Sequence, residues 1–276
     1  LTKPRIIELL LITTIPTMVM AKRGMPSVGL MLATLVGGAF AAGGANAINM
    51  YVDRDIDRLM PRTQNRPLVT GLIEPGHALV FAVGLEVVAF ALLATTVNVL
   101  SAVLALSACL FYVFVYTLWL KRTSTQNIVI GGAAGAVPVL IGWSAVTDSV
   151  SWSAVVLFGV IFLWTPPHFW ALALLLEDDY AAAGVPMLPV VVGPQRAARV
   201  VFASTLALVA ASLLPGAFGA GPLYMAGAAI GGGWFVYKSW RLARAPSRQT
   251  ALGSFFASLL QLSLLLGAAS IDGLIR

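Results

Sequence analysis

Apolar residues in this chain run on for about 15 to 24 positions at a time, and the polar residues are gathered between the runs. A helix rises 1.5 Å per residue, so runs of that length match the roughly 30 Å hydrocarbon layer of a bilayer. Within that layer a helix satisfies its own backbone polar groups. The pattern predicts an all-α, polytopic membrane protein of about nine transmembrane helices, at 7–21, 28–51, 78–97, 100–119, 127–146, 152–175, 200–216, 222–240 and 252–271. The third and fourth meet near Asn98 and are the hardest pair to separate. Two connections are long, 52–77 and 177–199. They lie four helices apart and each begins with acids, which suggests a weak internal duplication within one domain spanning 1–276. Glycines 37, 38, 43 and 44 in the second helix, and 131, 132 and 135 in the fifth, offer small faces for close helix packing.

Composition removes the soluble alternative. Hydrophobic residues make up 59% of the 276 and charged residues 10%, against about 45–50% and 25% in soluble domains. The balance of 17 Lys and Arg against 11 Asp and Glu, a net +6, reads as membrane orientation, and no nucleic-acid partner is expected. A cytoplasmic N-terminus places 14 basic residues inside and only Lys22, Arg23 and Arg276 outside, so the positive-inside rule predicts N-inside, C-outside. The lone Cys109 allows no internal disulfide and is expected to be a buried thiol. The chain begins with Leu1, so a leader or short arm ahead of it is compatible with the sequence.

On the cytoplasmic side the polar residues form two constellations. In the first, Asn49, Asp53 and Asp57 recur every four residues and share one helical face, where hard oxygen ligands can hold Mg²⁺ against a substrate phosphate. Arg58, Arg62 and Arg66 follow, a row able to clamp phosphate oxygens. A solvated helix end needs no such pairing. The second is Glu177-Asp178-Asp179-Tyr180, which alone reads equally well as a helix cap or a ligand cluster. With both clusters on one face of the bundle, Mg²⁺ could bridge them to a diphosphate and neutralise it as a leaving group. An aromatic-lined, apolar cavity inside such a bundle would shelter the allylic cation left behind and dissolve its prenyl tail.

The stretch Trp164-Thr165-Pro166-Pro167-His168-Phe169-Trp170 interrupts a transmembrane helix, which is tolerable where the backbone is buried or lines a cavity. His168 is therefore a candidate for holding an acceptor, with a core histidine as the plainer reading. Lys121-Arg122 reads as an interfacial anchor with diphosphate contact as a second role, His77 as a surface residue, and Tyr112, Tyr116 and Trp119 as belt and packing aromatics. Glu86 is a buried hydrogen-bond partner or a proton relay.

With these residues in place the sequence resembles the UbiA-type intramembrane prenyltransferases, and among them those that act on haem. The matching stretches are Leu1 to Arg5, Asn46 to Arg66, Tyr116 to Trp143, Trp164 to Trp170 and Asp178 to Pro189. The resemblance implies a nine-helix bundle around a central cavity, and a reaction in which farnesyl diphosphate and water add to a vinyl group of haem B, giving haem O and diphosphate. Haem B is then substrate rather than resident cofactor, and Mg²⁺ the cofactor. It assigns Asn49, Asp53 and Asp57 to the metal-diphosphate motif and Asp178 and Asp179 to the second acidic region, with the four aspartates catalytic. It gives Arg58, Arg62, Arg66, Lys121, Arg122 and Tyr180 to substrate binding, and puts His168 near the porphyrin, where it could ligate the iron. Ala182 and Ala183 stand where many members complete a second Asp-x-x-x-Asp, so a second fully ligated metal would need Glu177 as a substitute. The implied setting is a bacterial plasma membrane, or a mitochondrial inner membrane, with a downstream haem-modifying enzyme or oxidase assembly factor as partner. Competing readings are the same chemistry on a quinone precursor or chlorophyllide, a phosphatidyl-alcohol transferase, and a non-enzymatic transporter. The transferase would want small residues after its acids, where Arg54, Ile56 and Arg58 stand. The transporter would carry its acids near the midplane.

Overall fold

Each apolar run closes its own hydrogen bonds as a helix, and polar side chains between the runs cap some of the starts. The computed structural model describes residues 1–275, the side chains of residues 5–11 excepted, so Arg276 and the side chain of Arg5 lie outside the described residues. The elements are α1 Pro4–Lys22, α2 Val28–Val52, α3 Arg54–Asp57, α4 Pro75–Thr96 and α5 Val99–Leu110, the last continuing through a π-helical segment Phe111–Leu120 into α6 Lys121–Thr123. Then come α7 Asn127–Thr147, α8 Trp152–Ala173, α9 Glu177–Ala182, α10 Leu188–Val192, α11 Pro194–Ser212, a 3₁₀ turn Leu214–Phe218, α12 Pro222–Arg244 and α13 Arg248–Ile275. With α5 to α6 taken as one rod, nine long helices stand among the described residues, and seven of them are long and apolar enough to cross a membrane. The chain is an integral membrane protein. Outside the seven are α1, with Lys22 in its last turn, and α12, with Arg241 and Arg244 in its last turn.

Asn98 settles the division that hydropathy leaves open. Its backbone is extended, its side chain accepts from Ser101 N at 2.7 Å to cap α5, and its Nδ2 donates to the Ser144 carbonyl of α7 at 2.7 Å. Ser27 and Ser151 cap α2 and α8 in the same way. Lipid gives helices no hydrophobic reason to associate, so they meet where small residues allow close approach. A Cβ on Gly37 would lie 2.5 Å from Leu93 Cγ, and one on Gly44 2.6 Å from Glu86 Oε1, which fixes α2 against α4. Gly131 and Gly132 pack as closely, a Cβ on the first meeting the Tyr116 ring and one on the second lying 3.0 Å from Thr165 Cβ, and with Gly38 and Gly135 they also line a central cavity of about 300 Å³ between α1, α2, α5, the π-helical segment, α7 and α8.

Candidate active site

The site is built on the end of α2. The backbone ladder does not break at Asp53: its N–H donates to Asn49 O at 2.9 Å, and Asp57 N donates to Asp53 O at 2.8 Å, so the four-residue spacing survives the join to α3. Asn49, Asp53 and Asp57 therefore share one face, and all three are buried, at 2%, 0% and 1% exposed. Buried carboxylates need partners, and each finds a basic one. Lys121 from α6 forms an ion pair with Asp53 Oδ2. Asn49 Nδ2 donates to the same oxygen at 2.8 Å and to Thr117 Oγ1 at 3.1 Å, while Asn49 Oδ1 accepts from Lys3 Nζ at 2.7 Å. Arg66 reaches Asp57 Oδ2 at 2.5 Å. Arg122 grips the exposed Asp55 with two nitrogens at 2.7 Å each and stands 3.8 Å from Asp53 Oδ1.

The electrostatics follow from this crowding. Burial, then the charges of Arg66 and Lys121, lower the Lys3 ammonium to about 7. The Arg122 hydrogen bonds hold Asp55 down at about 2. Burial raises Glu177, with Asp178 adding to the effect, and burial raises the Tyr180 hydroxyl.

The second acidic segment lies at the same mouth. Arg62 Nε is 3.5 Å from Asp179 Oδ2, and its guanidinium sits 5.3 Å from the centre of the buried Tyr180 ring. Ile56, beside Asp57, shares an apolar cluster with Tyr180 and Ile128. Asp178 and Arg58 are exposed. Thus the two acidic segments face one opening, but their carboxylates do not converge: among the described residues no three acid, histidine or cysteine side chains gather to hold a metal ion. The reason is the basic residues, which take up the carboxylates one by one. A Mg²⁺ ion still suits the donor set. It binds through one or two carboxylates with water and substrate phosphate completing its shell, and Asp53 Oδ1 is a buried hard oxygen with no hydrogen-bond partner among the described residues.

The cavity meets this cluster through the π-helical segment. A π turn bonds i to i+5, and here Thr117 Oγ1 donates to Tyr112 O, five residues back, at 2.9 Å while receiving Asn49. The same register stacks Tyr112 and Tyr116, ring centres 5.2 Å apart, on the cavity wall. These two tyrosines are cavity residues rather than the packing aromatics that the sequence suggests, whereas Trp119, 61% exposed, does fit a lipid-facing belt. Cys109 also lines the cavity. Glu86 sits behind it, buried against α2 at Gly44. Lys3 and Thr117 are members of the polar network that residue spacing does not single out; the only pointer to Lys3 is its place in the opening stretch that carries the family resemblance.

His168 lies apart from this wall. Its ring stacks on Trp164 at 4.1 Å and on Phe255 of α13 at 4.8 Å, and Nδ1 is 2.7 Å from Ser258 Oγ. Ser258 Oγ donates to Phe255 O at 2.6 Å, so Nδ1 carries the proton and Nε2 the lone pair. His77 is exposed beside Glu74, as expected.

The family described as UbiA prenyltransferase matches residues 10–263. A "Protoheme IX farnesyltransferase" of Pseudarthrobacter chlorophenolicus is 53% identical, covering 99% of this chain and 87% of the relative. One of Frankia casuarinae is 52% identical, covering 100% of this chain and 96% of the relative. Among solved structures, a digeranylgeranylglyceryl phosphate synthase superimposes with a TM-score of 0.79 at 22% identity, covering 99% of this chain and 95% of that one. A UbiA homologue from Archaeoglobus fulgidus bound to GPP and Mg²⁺ gives 0.67 at 18%, covering 96% and 97%. At such identities the structural likeness speaks for the fold.

Proposed function

The chain belongs to the UbiA prenyltransferase family, and from that premise we propose that it transfers the farnesyl group of farnesyl diphosphate to a vinyl group of haem B, with addition of water, to give haem O and diphosphate. The observation that carries prenyl transfer is an apolar cavity whose wall residues Asn46 and Tyr116 stand next along their helices to the buried Asn49, Thr117, Asp53 and Lys121 cluster. Support for farnesyl as donor and haem as acceptor comes from full-length identity of about half to relatives of that name.

In this reading Lys121, Arg66, Arg62, Arg58 and Arg122 bind the diphosphate oxygens, and Asn49 and Lys3 keep Asp53 in place. Mg²⁺, when bound by Asp53 with Asp57, Asn49 and the Asp178–Asp179 segment nearby, supplies positive charge against the leaving group. The C1–O bond breaks, its electron pair leaves with diphosphate, and the stacked rings of Tyr112 and Tyr116 on the cavity wall supply aromatic surface beside the allylic cation. The cavity wall, mostly glycine, alanine and aliphatic carbon, holds water off until the new carbon–carbon bond to the vinyl terminus has formed. Water then adds to the neighbouring carbon and releases a proton. The membrane is the plasma membrane of a bacterium, with the acidic mouth and the N-terminus cytoplasmic and the C-terminus outside. A haem-modifying enzyme or oxidase assembly factor is the class of partner that would take the product from the bilayer.

The test uses purified chain in detergent with farnesyl diphosphate, haem B and Mg²⁺. Mass spectrometry of the pigment should find haem enlarged by one farnesyl and one hydroxyl, together with equimolar diphosphate. Unchanged haem beside a prenylated aromatic acid or chlorophyllide, when those are supplied, would move the acceptor. Full turnover after chelation of divalent ions would remove the metal.

A further inference from the structure

Asn127 opens α7 with its side chain fully buried, and neither Oδ1 nor Nδ2 has a hydrogen-bond partner among the described residues. Such a carboxamide is costly unless something else satisfies it. Its position indicates what. Asn127, Gly131 and Gly135 are spaced by four, and both glycines line the cavity, so Asn127 stands on the same helical face one turn beyond Gly131, covered where the cavity lining ends at Ile128. The next residue, Ile128, also lines the cavity and packs in the apolar cluster that contains Ile56 and Tyr180. The first turn of α7 therefore lies between the two acidic segments, six residues after the lysine that holds Asp53.

This is also the N-terminus of a 21-residue helix, where backbone N–H groups and the helix dipole favour an anion. A second buried donor without a partner among the described residues, Trp170 Nε1, belongs to a residue in the same cluster as Ile128, near the end of α8. A neutral amide at the boundary between a greasy cavity and a cationic mouth suits one part of the substrate. It is the oxygen joining prenyl carbon to phosphorus, which is least charged before bond cleavage and gains charge as the bond breaks.

We propose that Asn127 Nδ2 donates to the α-phosphate of the prenyl diphosphate, holding the leaving oxygen at the junction of cavity and mouth. The inference rests on the prenyl-transfer reading above. Two full-length variants test it, N127L, which replaces an unpaired amide with an apolar side chain of similar size, and N127D, which keeps the shape but adds negative charge. Both are compared with the wild type in detergent, using inorganic pyrophosphate with Mg²⁺ as competitor. N127L should melt at or above the wild-type temperature, because removing both halves of an unmade hydrogen bond is close to neutral. Its inhibition constant for pyrophosphate should rise about tenfold and kcat/KM for farnesyl diphosphate should fall at least as far, with the KM for haem unchanged. N127D should lose more on both. If N127L does not fold, N127D decides by the same constants. Unaltered constants in a folded variant, or a change confined to the haem KM, overturn the role of Asn127 alone. A wild-type chain that neither releases diphosphate nor is inhibited by pyrophosphate overturns the prenyl-transfer reading itself.

Discussion

Asp53 and Lys121 can be understood only together. The aspartate is wholly buried and the lysine nearly so, and removing one member of such a pair strands the other's charge, at a cost on the order of 3–5 kcal/mol. Thermal unfolding in detergent should therefore find Asp53→Asn and Lys121→Met each strongly destabilised, with the double variant less so than their sum by about 1–3 kcal/mol. Turnover should fall at least about 100-fold in Asp53→Asn and Asp57→Asn, the 2.7 kcal/mol scale of one transition-state contact. Asp55→Asn, on a side chain 59% exposed, should cost under about 1 kcal/mol and leave most activity. The three-residue face was legible because a period of four is a local property of sequence. That it is buried was not, since three acids after an apolar run read as a wet helix end; the cations that bury them arrive from 9 to 68 residues away. His168 divides the two readings of its segment. His168→Ala should weaken haem binding, measured by titration of the Soret band, and unchanged affinity would assign the ring to the α8–α13 contact with Ser258 and Phe255.

At the scale of elements, glycines separate packing from function. A Cβ at Gly44 meets Glu86 and the Ala82 carbonyl within 3 Å, so Gly44→Val should destabilise by about 1–3 kcal/mol or more. Gly84 has nothing within 4 Å, and Gly84→Ala should be neutral or stabilising by about 0.5–1 kcal/mol, helix propensity alone being changed. Gly131→Val instead pushes a branched side chain toward Tyr116 on the cavity wall. It should depress turnover of farnesyl diphosphate more than that of geranyl diphosphate, a ratio read from paired kcat/KM values. The helices themselves follow from run length. The π register of Phe111–Leu120 does not, because its aromatic and β-branched residues suit an α-helix equally well; it depends on Thr117 meeting a side chain from another helix.

Across the whole molecule the distribution of arginine and lysine over the loops makes a prediction of sidedness. In a Cys109→Ala background, a cysteine at Gln64 should react with an impermeant thiol reagent only from the cytoplasmic face, and one at Ser149 only from the other. Labelling with the faces exchanged would refute the orientation. Because every strongly charged group of the site lies at one end of the bundle, while toward the far end α5 and α7 are joined by the uncharged Asn98, Ser101 and Ser144, the two fragments of a cleaved prenyl diphosphate would be parted by solubility. The anion is discharged into one aqueous compartment and the greasy adduct stays among the lipids. Recombination is discouraged by phase partition, and the direction of the reaction needs no gate to enforce it.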